Sequence, residues 1–166
     1  KAMCETILLE NQSSDFTTTV LRPATVCGYS SRQRLDVIVN IFTNLAYNKN
    51  AISVFGGNQL RPNIHIKDMT RSYLNVLQQS NKIVDGKIFN VGYENKSVIE
   101  IANLVKNSLN TDVELKIEES NDNRSYHVSS EKIKNELGFN SKFTIQDAVV
   151  DLIGAFKKNK LVDPLN

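Results

Sequence analysis

A chain of 166 residues with 40% hydrophobic and 23% charged side chains has the composition of one ordinary globular domain, which excludes a disordered tail, a collagen-like rod and a coiled coil. A net charge of +2 offers no broadly basic face for nucleic acid, and no apolar run approaches the ~18 residues that span a bilayer. The opening KAMCETILLE has neither the apolar stretch nor the cleavage site of a signal peptide, and with only Cys4 and Cys27 present the expectation is a reducing cytoplasm.

Ala2 to Leu9 repeats its apolar residues at helical spacing without a preceding cap, so the chain reads as starting inside a helix. Thr17 to Val26 is rich in β-branched residues and reads as a strand, irregular or at an edge where Pro23 removes a ladder donor. A loop runs from Cys27 to Arg34. Asp36 is expected to cap a helix from Val37 to about Asn48, whose apolar stripe is Ile38, Ile41, Phe42 and Leu45. Short strands follow at Ala51 to Phe55 and Asn63 to Ile66, separated by the turn Gly56-Gly57-Asn58. Asp68 is expected to cap the next helix, which runs to about Gln79.

A strand at Lys87 to Val91 precedes the capping box of Ser97 and Glu100, which opens a helix to about Leu109. Val113 to Ile117 alternates as a strand. Ser130 opens a short helix that ends before Gly138, and Thr144 with Asp147 forms a second capping box before the last helix. Strands alternating with helices mean an α/β fold, and the tail with Pro164 has no pattern.

The chain has no G-x-G-x-x-G, phosphate-binding P-loop, zincin or nucleophile-elbow motif. His65 and His127 are far apart and lack companions with metal-ligand spacing, and the Glu118-Glu119 pair reads as a solvated face. Arginine is the unexplained residue. There are six, Arg22, Arg32, Arg34, Arg61, Arg71 and Arg124, against fourteen lysines. Where lysine supplies routine surface charge, an arginine suits bidentate binding of phosphate or carboxylate.

Three segments carry a resemblance: LRPATVCGYSSRQRL (Leu21 to Leu35), FGGNQLRPNIHIKDMTRSYL with the later KIFNVG (from Phe55), and DNRSYHVSSEKIKNELGF (Asp122 to Phe139). Together, in this order, they resemble the carboxy-terminal half of the NAD-dependent epimerase/dehydratase family, the extended short-chain dehydrogenase/reductases that act on nucleotide-sugars. The resemblance implies the carboxy-terminal part of a Rossmann-type doubly wound sheet plus a small α/β substrate-binding domain. Residues 1–27 and 64–92 would be the last elements of the Rossmann domain, and 28–63 and 93–166 the substrate-binding domain. The amino-terminal dinucleotide-binding half would be absent, so the 166 residues alone are expected to be inactive.

The resemblance also assigns roles. Lys1, with Glu5 four residues on, resembles the lysine of the family's Tyr-x-x-x-Lys pair. That lysine binds the nicotinamide ribose and lowers the tyrosine's pKa through its charge. Pro23, Ala24, Thr25 and Val26 resemble the strand end beside the nicotinamide. Thr25 stands where relatives often place an Asn on the sugar-nucleotide. Arg61 and Arg124 resemble two arginines, from separate loops, that grip the nucleotide diphosphate. Arg34 and Asn40 lie in a region from which relatives contact substrate, and Tyr126 is placed beside the diphosphate or in the core. The implied cofactor is NAD or NADP, the implied substrate a nucleotide diphosphate-sugar, and the implied assembly a homodimer, with no nucleic acid and no membrane. The implied reaction is oxidation of the sugar, usually at C4, by hydride transfer to nicotinamide. The alternative is a non-catalytic nucleotide-sugar-binding or scaffold homologue of the same fold.

Overall fold

A computed structural model describes residues 1–120 and 124–161. Asp122 and Asn123, which open the third segment, and the tail containing Pro164 lie outside the described residues. The elements in chain order are α1 (Ala2–Glu10), β1 (Thr19–Pro23), β2 (Thr25–Cys27), α2 (Ile38–Lys49), β3 (Ala51–Phe55), β4 (Leu60–His65) and α3 (Ile66–Leu77). They continue with α4 (Asn81–Val84), β5 (Lys87–Val91), β6 (Glu94–Ser97), α5 (Val98–Asn107), β7 (Glu114–Glu118), α6 (Glu131–Leu137) and α7 (Ile145–Lys157). The α/β class and the parallel pairing expected of a Rossmann-type sheet are observed.

The single strand expected over Thr17 to Val26 is two strands broken at Ala24. β1 pairs in parallel with β5 up to Pro23 opposite Val91. The Ala24 amide then donates to the Val91 carbonyl at 2.8 Å, and β2 continues against β4 instead, with Thr25 opposite Asn63. The partner strand breaks at the same level. After Val91 the chain passes Gly92, and β6 pairs antiparallel with β4, placing Glu94 opposite Asn63. β4 therefore enters a fork between the continuations of β1 and β5. Ala24 and Gly92 meet at that fork: a Cβ built on Gly92 would stand 3.2 Å from the Ala24 methyl and 3.2 Å from a Val128 methyl. Glycine is the residue that permits this approach. β6 carries the polar sequence ENKS, so its strand state comes from pairing with β4 and not from any apolar alternation.

Two apolar clusters form on either side of the fork. The first joins Val39, Phe42 and Ala46 of α2, Ile52 and Val54 of β3, Ile101 and Val105 of α5, and Val149 and Ile153 of α7. β3 and β7 form a separate two-stranded parallel pair beside it. The second joins Ala24, Ile64, Met69, Phe89 and Val91 with Ile133, Leu137 and Phe139.

Both capping boxes form as expected. Ser97 and Glu100 bond reciprocally at the start of α5, and Thr144 and Asp147 do so at α7, which holds both acids below the usual carboxylate range. Two expected caps do not form. α2 has Val37 at its N-cap with no side-chain bond, because Asp36 is paired with Arg34. α3 is capped by His65, whose Nδ1 accepts the Lys67 amide at 3.0 Å. Asp68 sits inside the first turn of α3, fully buried. Its Oδ2 accepts the amides of Lys142 and Phe143, each at 2.8 Å, and its Oδ1 pairs with Arg71. Arg71 in turn lies 5.5 Å from the Phe139 ring centroid. This one carboxylate ties α3 to the segment that leads into α7.

An Asp68→Ala variant takes the acceptor from two part-buried amides and the charge partner from Arg71, which keeps the Asn140 carbonyl. Urea denaturation is expected to show a loss of about 1.5–3 kcal/mol, the range for hydrogen bonds to a charged group. A loss below about 1 kcal/mol contradicts the tie.

Candidate functional site

β2 and β4 run side by side, and their neighbouring residues, with the start of α2 and the segment 124–130, enclose a pocket of about 260 Å³. Thr25, Val37, Ile38, Arg61, Arg124 and Tyr126 line it. The side chain of Arg61, near the start of β4, donates from Nη1 to the Leu60 carbonyl at 3.1 Å and to the Arg124 carbonyl. One arginine thus holds the backbone of the other. Among the described residues no carboxylate lines this pocket. Two arginines at one pocket, with Thr25 beside them, suit a ligand with two or more negative charges. A wider depression of about 580 Å³ lies next along the segment, walled by Gly56, Gly57, Gln59, Ile117 and Ser125.

Of the residues singled out in the sequence, Thr25, Arg61, Arg124 and Tyr126 come together. Arg34 does not join them. It is exposed and bonded to Asp36 at 2.7 and 3.0 Å, so the guanidinium rises and the carboxyl falls from their ordinary pKa values. Asn40 is buried. Its Oδ1 accepts the Gly28 amide at 3.0 Å and its Nδ2 donates to the Arg34 carbonyl at 2.8 Å, so its amide closes the loop after β2.

Lys1, at the N-cap of α1, is in a different place. It lines a groove of about 760 Å³ with Cys4, Glu5, Leu8, Leu21, Pro23 and Tyr73. Arg22 on β1 fastens α1 across this groove through Glu5, with Nε at 3.0 and 3.1 Å from its two oxygens, which lowers the Glu5 pKa. Ala24 is buried, while Val26 packs against the second core. Sequence reasoning missed Val37 and Ile38 as pocket walls, since helical periodicity assigns such residues to the core. It missed Ser125 because nothing local marks it.

Two buried titratable groups stand at the far ends of β2 and β4, which pair as Cys27 and His65. Burial pushes the Cys27 thiol up to about 12, with the charge of Glu94 adding to it, so it is an inert packing residue. His65 is held below its ordinary pKa by burial, and its Nε2 faces the Asp151 carboxylate at 3.4 Å. Lys67, Asp68 and Asp147 also act on it.

The model of the NAD-dependent epimerase/dehydratase family matches residues 1–92. Among solved structures, the UDP-glucose 4-epimerase of Thermotoga maritima with UDP-glucose is 23% identical with a TM-score of 0.81, over 96% of this chain and 52% of that one. RMD from Pseudomonas aeruginosa complexed with NADPH is 15% identical with a TM-score of 0.82, over 96% and 55%. The dTDP-glucose 4,6-dehydratase of Bacillus anthracis in complex with NAD is 21% identical with a TM-score of 0.79, over 96% and 51%. At these identities the likeness is one of fold, and the chain spans about half the length of the solved structures it matches. Among the described residues, no helix is long and apolar enough to cross a membrane.

The lowered pKa of His65 has a sign. The folded state binds its proton less readily than the unfolded chain, whose histidine titrates near 6.5. The stability this group contributes is complete above that value and is lost as pH falls through it toward the folded pKa. Chemical denaturation between pH 8 and 5 is expected to show declining stability below about pH 6.5, with a shallower decline in His65→Gln. An identical decline in the variant contradicts the assignment.

Proposed function

The chain belongs to the NAD-dependent epimerase/dehydratase family, and from that premise we propose that it is the carboxy-terminal part of an NAD(P)-dependent nucleotide-sugar epimerase, dehydratase or dehydrogenase. The observation that carries this is the meeting of Arg61 and Arg124, from separate segments, at one pocket with Thr25. Each guanidinium fork can hold two phosphate oxygens, and together they neutralise a diphosphate. The nucleoside end takes the adjoining depression beside Gly56, Gly57 and Ser125, and Thr25 directs its hydroxyl to the sugar. Asn40 serves by shaping the loop after β2, and Arg34 by its pairing with Asp36 at the rim.

The residues that would hold a nicotinamide cofactor fit that use: Lys1 and Pro23 line one groove, and the strand that carries Pro23 changes partner at Ala24 beside it. Bound there, nicotinamide supplies a hydride acceptor for the sugar carbon, usually C4. The Lys1 ammonium binds ribose hydroxyls and, by its charge, favours the phenolate of the family's tyrosine at neutral pH, so that the sugar hydroxyl proton has an acceptor.

The apolar side chains exposed in the groove, Tyr73 and Leu77, and on α1, Met3 and Ile7, give the dinucleotide-binding half a surface to cover. We assign residues 1–27 and 64–92 to the dinucleotide side and 28–63 and 93–166 to the substrate side. A cytoplasmic homodimer is the assembly proposed. The 166 residues contain no Gly-rich dinucleotide loop, so taken alone they are expected to bind nucleotide diphosphate without turning over nucleotide-sugar.

Calorimetric titration with UDP tests the site. Saturable binding is expected, weakened about tenfold to a hundredfold by Arg61→Ala or Arg124→Ala, because each removes charge-assisted hydrogen bonds worth about 1.5–3 kcal/mol. Binding that is absent, or unchanged in both variants, sinks the diphosphate reading.

A further inference from the structure

The segment that presents Arg124 has no regular structure, so its backbone polar groups need partners from elsewhere. Side chains tie the segment to its neighbours at three levels, and at one of them, Val128, they satisfy its backbone. The Gly92 amide donates to Ser130 Oγ at 2.7 Å, and that hydroxyl donates back to the Gly92 carbonyl at 2.8 Å. Asn95 Nδ2 donates to the Val128 carbonyl at 3.1 Å while its Oδ1 accepts the Val128 amide at 2.9 Å. The Leu60 amide donates to Ser125 Oγ at 3.0 Å, and Leu60 is the register partner of Ser97. As the anchor moves from 92 through 95 to the level of 97, the anchored residue moves from 130 through 128 to 125. The segment 124–130 is therefore strapped antiparallel along β6 by side chains that stand in for ladder bonds.

Asn95 is the central buckle. Its carboxamide presents one donor and one acceptor to the donor and acceptor of a single residue, as a neighbouring strand would. It is half-buried and absent from the pocket lining; its side chain reaches the site through the strap, while its backbone stands opposite Pro62, next to Arg61, in the β4–β6 pair. We propose that Asn95 is a positioning residue for the anionic ligand: it fixes the strap along β6 so that the Arg124 guanidinium stands opposite Arg61. This rests on the diphosphate reading of that pocket. It adds that the second arginine is effective only while the strap is docked. Ordering the strap in advance removes a cost that the ligand would otherwise bear.

Two measurements separate this from the reading beneath it. The first needs no ligand. Trypsin cleaves after arginine, and Arg124 is exposed, so limited proteolysis reports strap release at the bond between Arg124 and Ser125. Asn95→Ala is expected to speed that cut at least about fivefold while the other sites keep their rates, with Asn95→Asp, which retains the acceptor for the Val128 amide, falling between. An unchanged rate overturns the buckle.

The second is a double-mutant cycle read by UDP titration. Asn95→Ala is expected to weaken UDP about tenfold alone but less than twofold in Arg124→Ala, since there the strap has nothing left to present. An equal loss in the Arg124→Ala background means a general structural role and overturns the proposal. Failure of the unmodified chain to bind UDP removes the diphosphate reading and the ligand-positioning role together. The cleavage result then stands as a test of the strap alone.

Discussion

The fork at Ala24 and Gly92 governs the rest of the molecule. Two adjacent parallel strands, β1 and β5, end at the same rung, and β4 takes the space between their continuations. Two small residues back to back make this possible. A Cβ on Gly92 would press on both Ala24 and Val128 at 3.2 Å, tighter than ordinary contact. Asn63, fully buried at the crotch, is the register partner of Thr25 on one side and Glu94 on the other, and its carbonyl accepts the Tyr93 amide at 2.9 Å. The β2–β4–β6 sheet touches both core clusters, with Cys27 in the first and Ile64 in the second.

The split also places the chemistry. β2 brings Thr25 alongside β4, which carries Arg61 two residues before Asn63. β6 runs on the other side of β4 and gives the strap its track, so Arg124 arrives at the pocket from a segment 63 positions away in the chain. Beyond the site, His65 caps α3 and Asp68 fastens that helix to the segment entering α7. Arg61 thus stands on a strand held at both of its edges and at its far end, and Arg124 on a segment tied to that sheet by side chains. A pair of like charges needs that rigidity if it is to wait for an anion without splaying apart.

Much of this was legible in the sequence. The capping boxes at Ser97 and Thr144 announce their helices because cap chemistry is local, and the sequence singles out Arg61 and Arg124, which the fold brings to one pocket. What was not legible is what depends on neighbours far along the chain. Thr17 to Val26 has the composition of one strand, and its break needs the partner break at Gly92 to appear. β6 is polar throughout and is a strand only because β4 pairs with it. Asp36 and Asp68 look like N-caps by position, but each finds a stronger partner, Arg34 in one case and a set of buried donors in the other. Asn40 was read as a substrate contact, and its carboxamide is bonded to loop backbone. Asn95 is one of twenty asparagines, and nothing in the sequence separates it from the others.

The central claim is that one anionic ligand is gripped by Arg61 and Arg124 together. With six arginines in the chain, a side-chain Nε–H correlation spectrum is simple enough to assign by single substitutions. Titration with UDP is expected to shift the Arg61 and Arg124 signals with one common saturation curve and to leave Arg22, bound to Glu5, and Arg71, bound to Asp68, in place. Shifts confined to one of the two site arginines, or spread evenly over all six, would contradict the account.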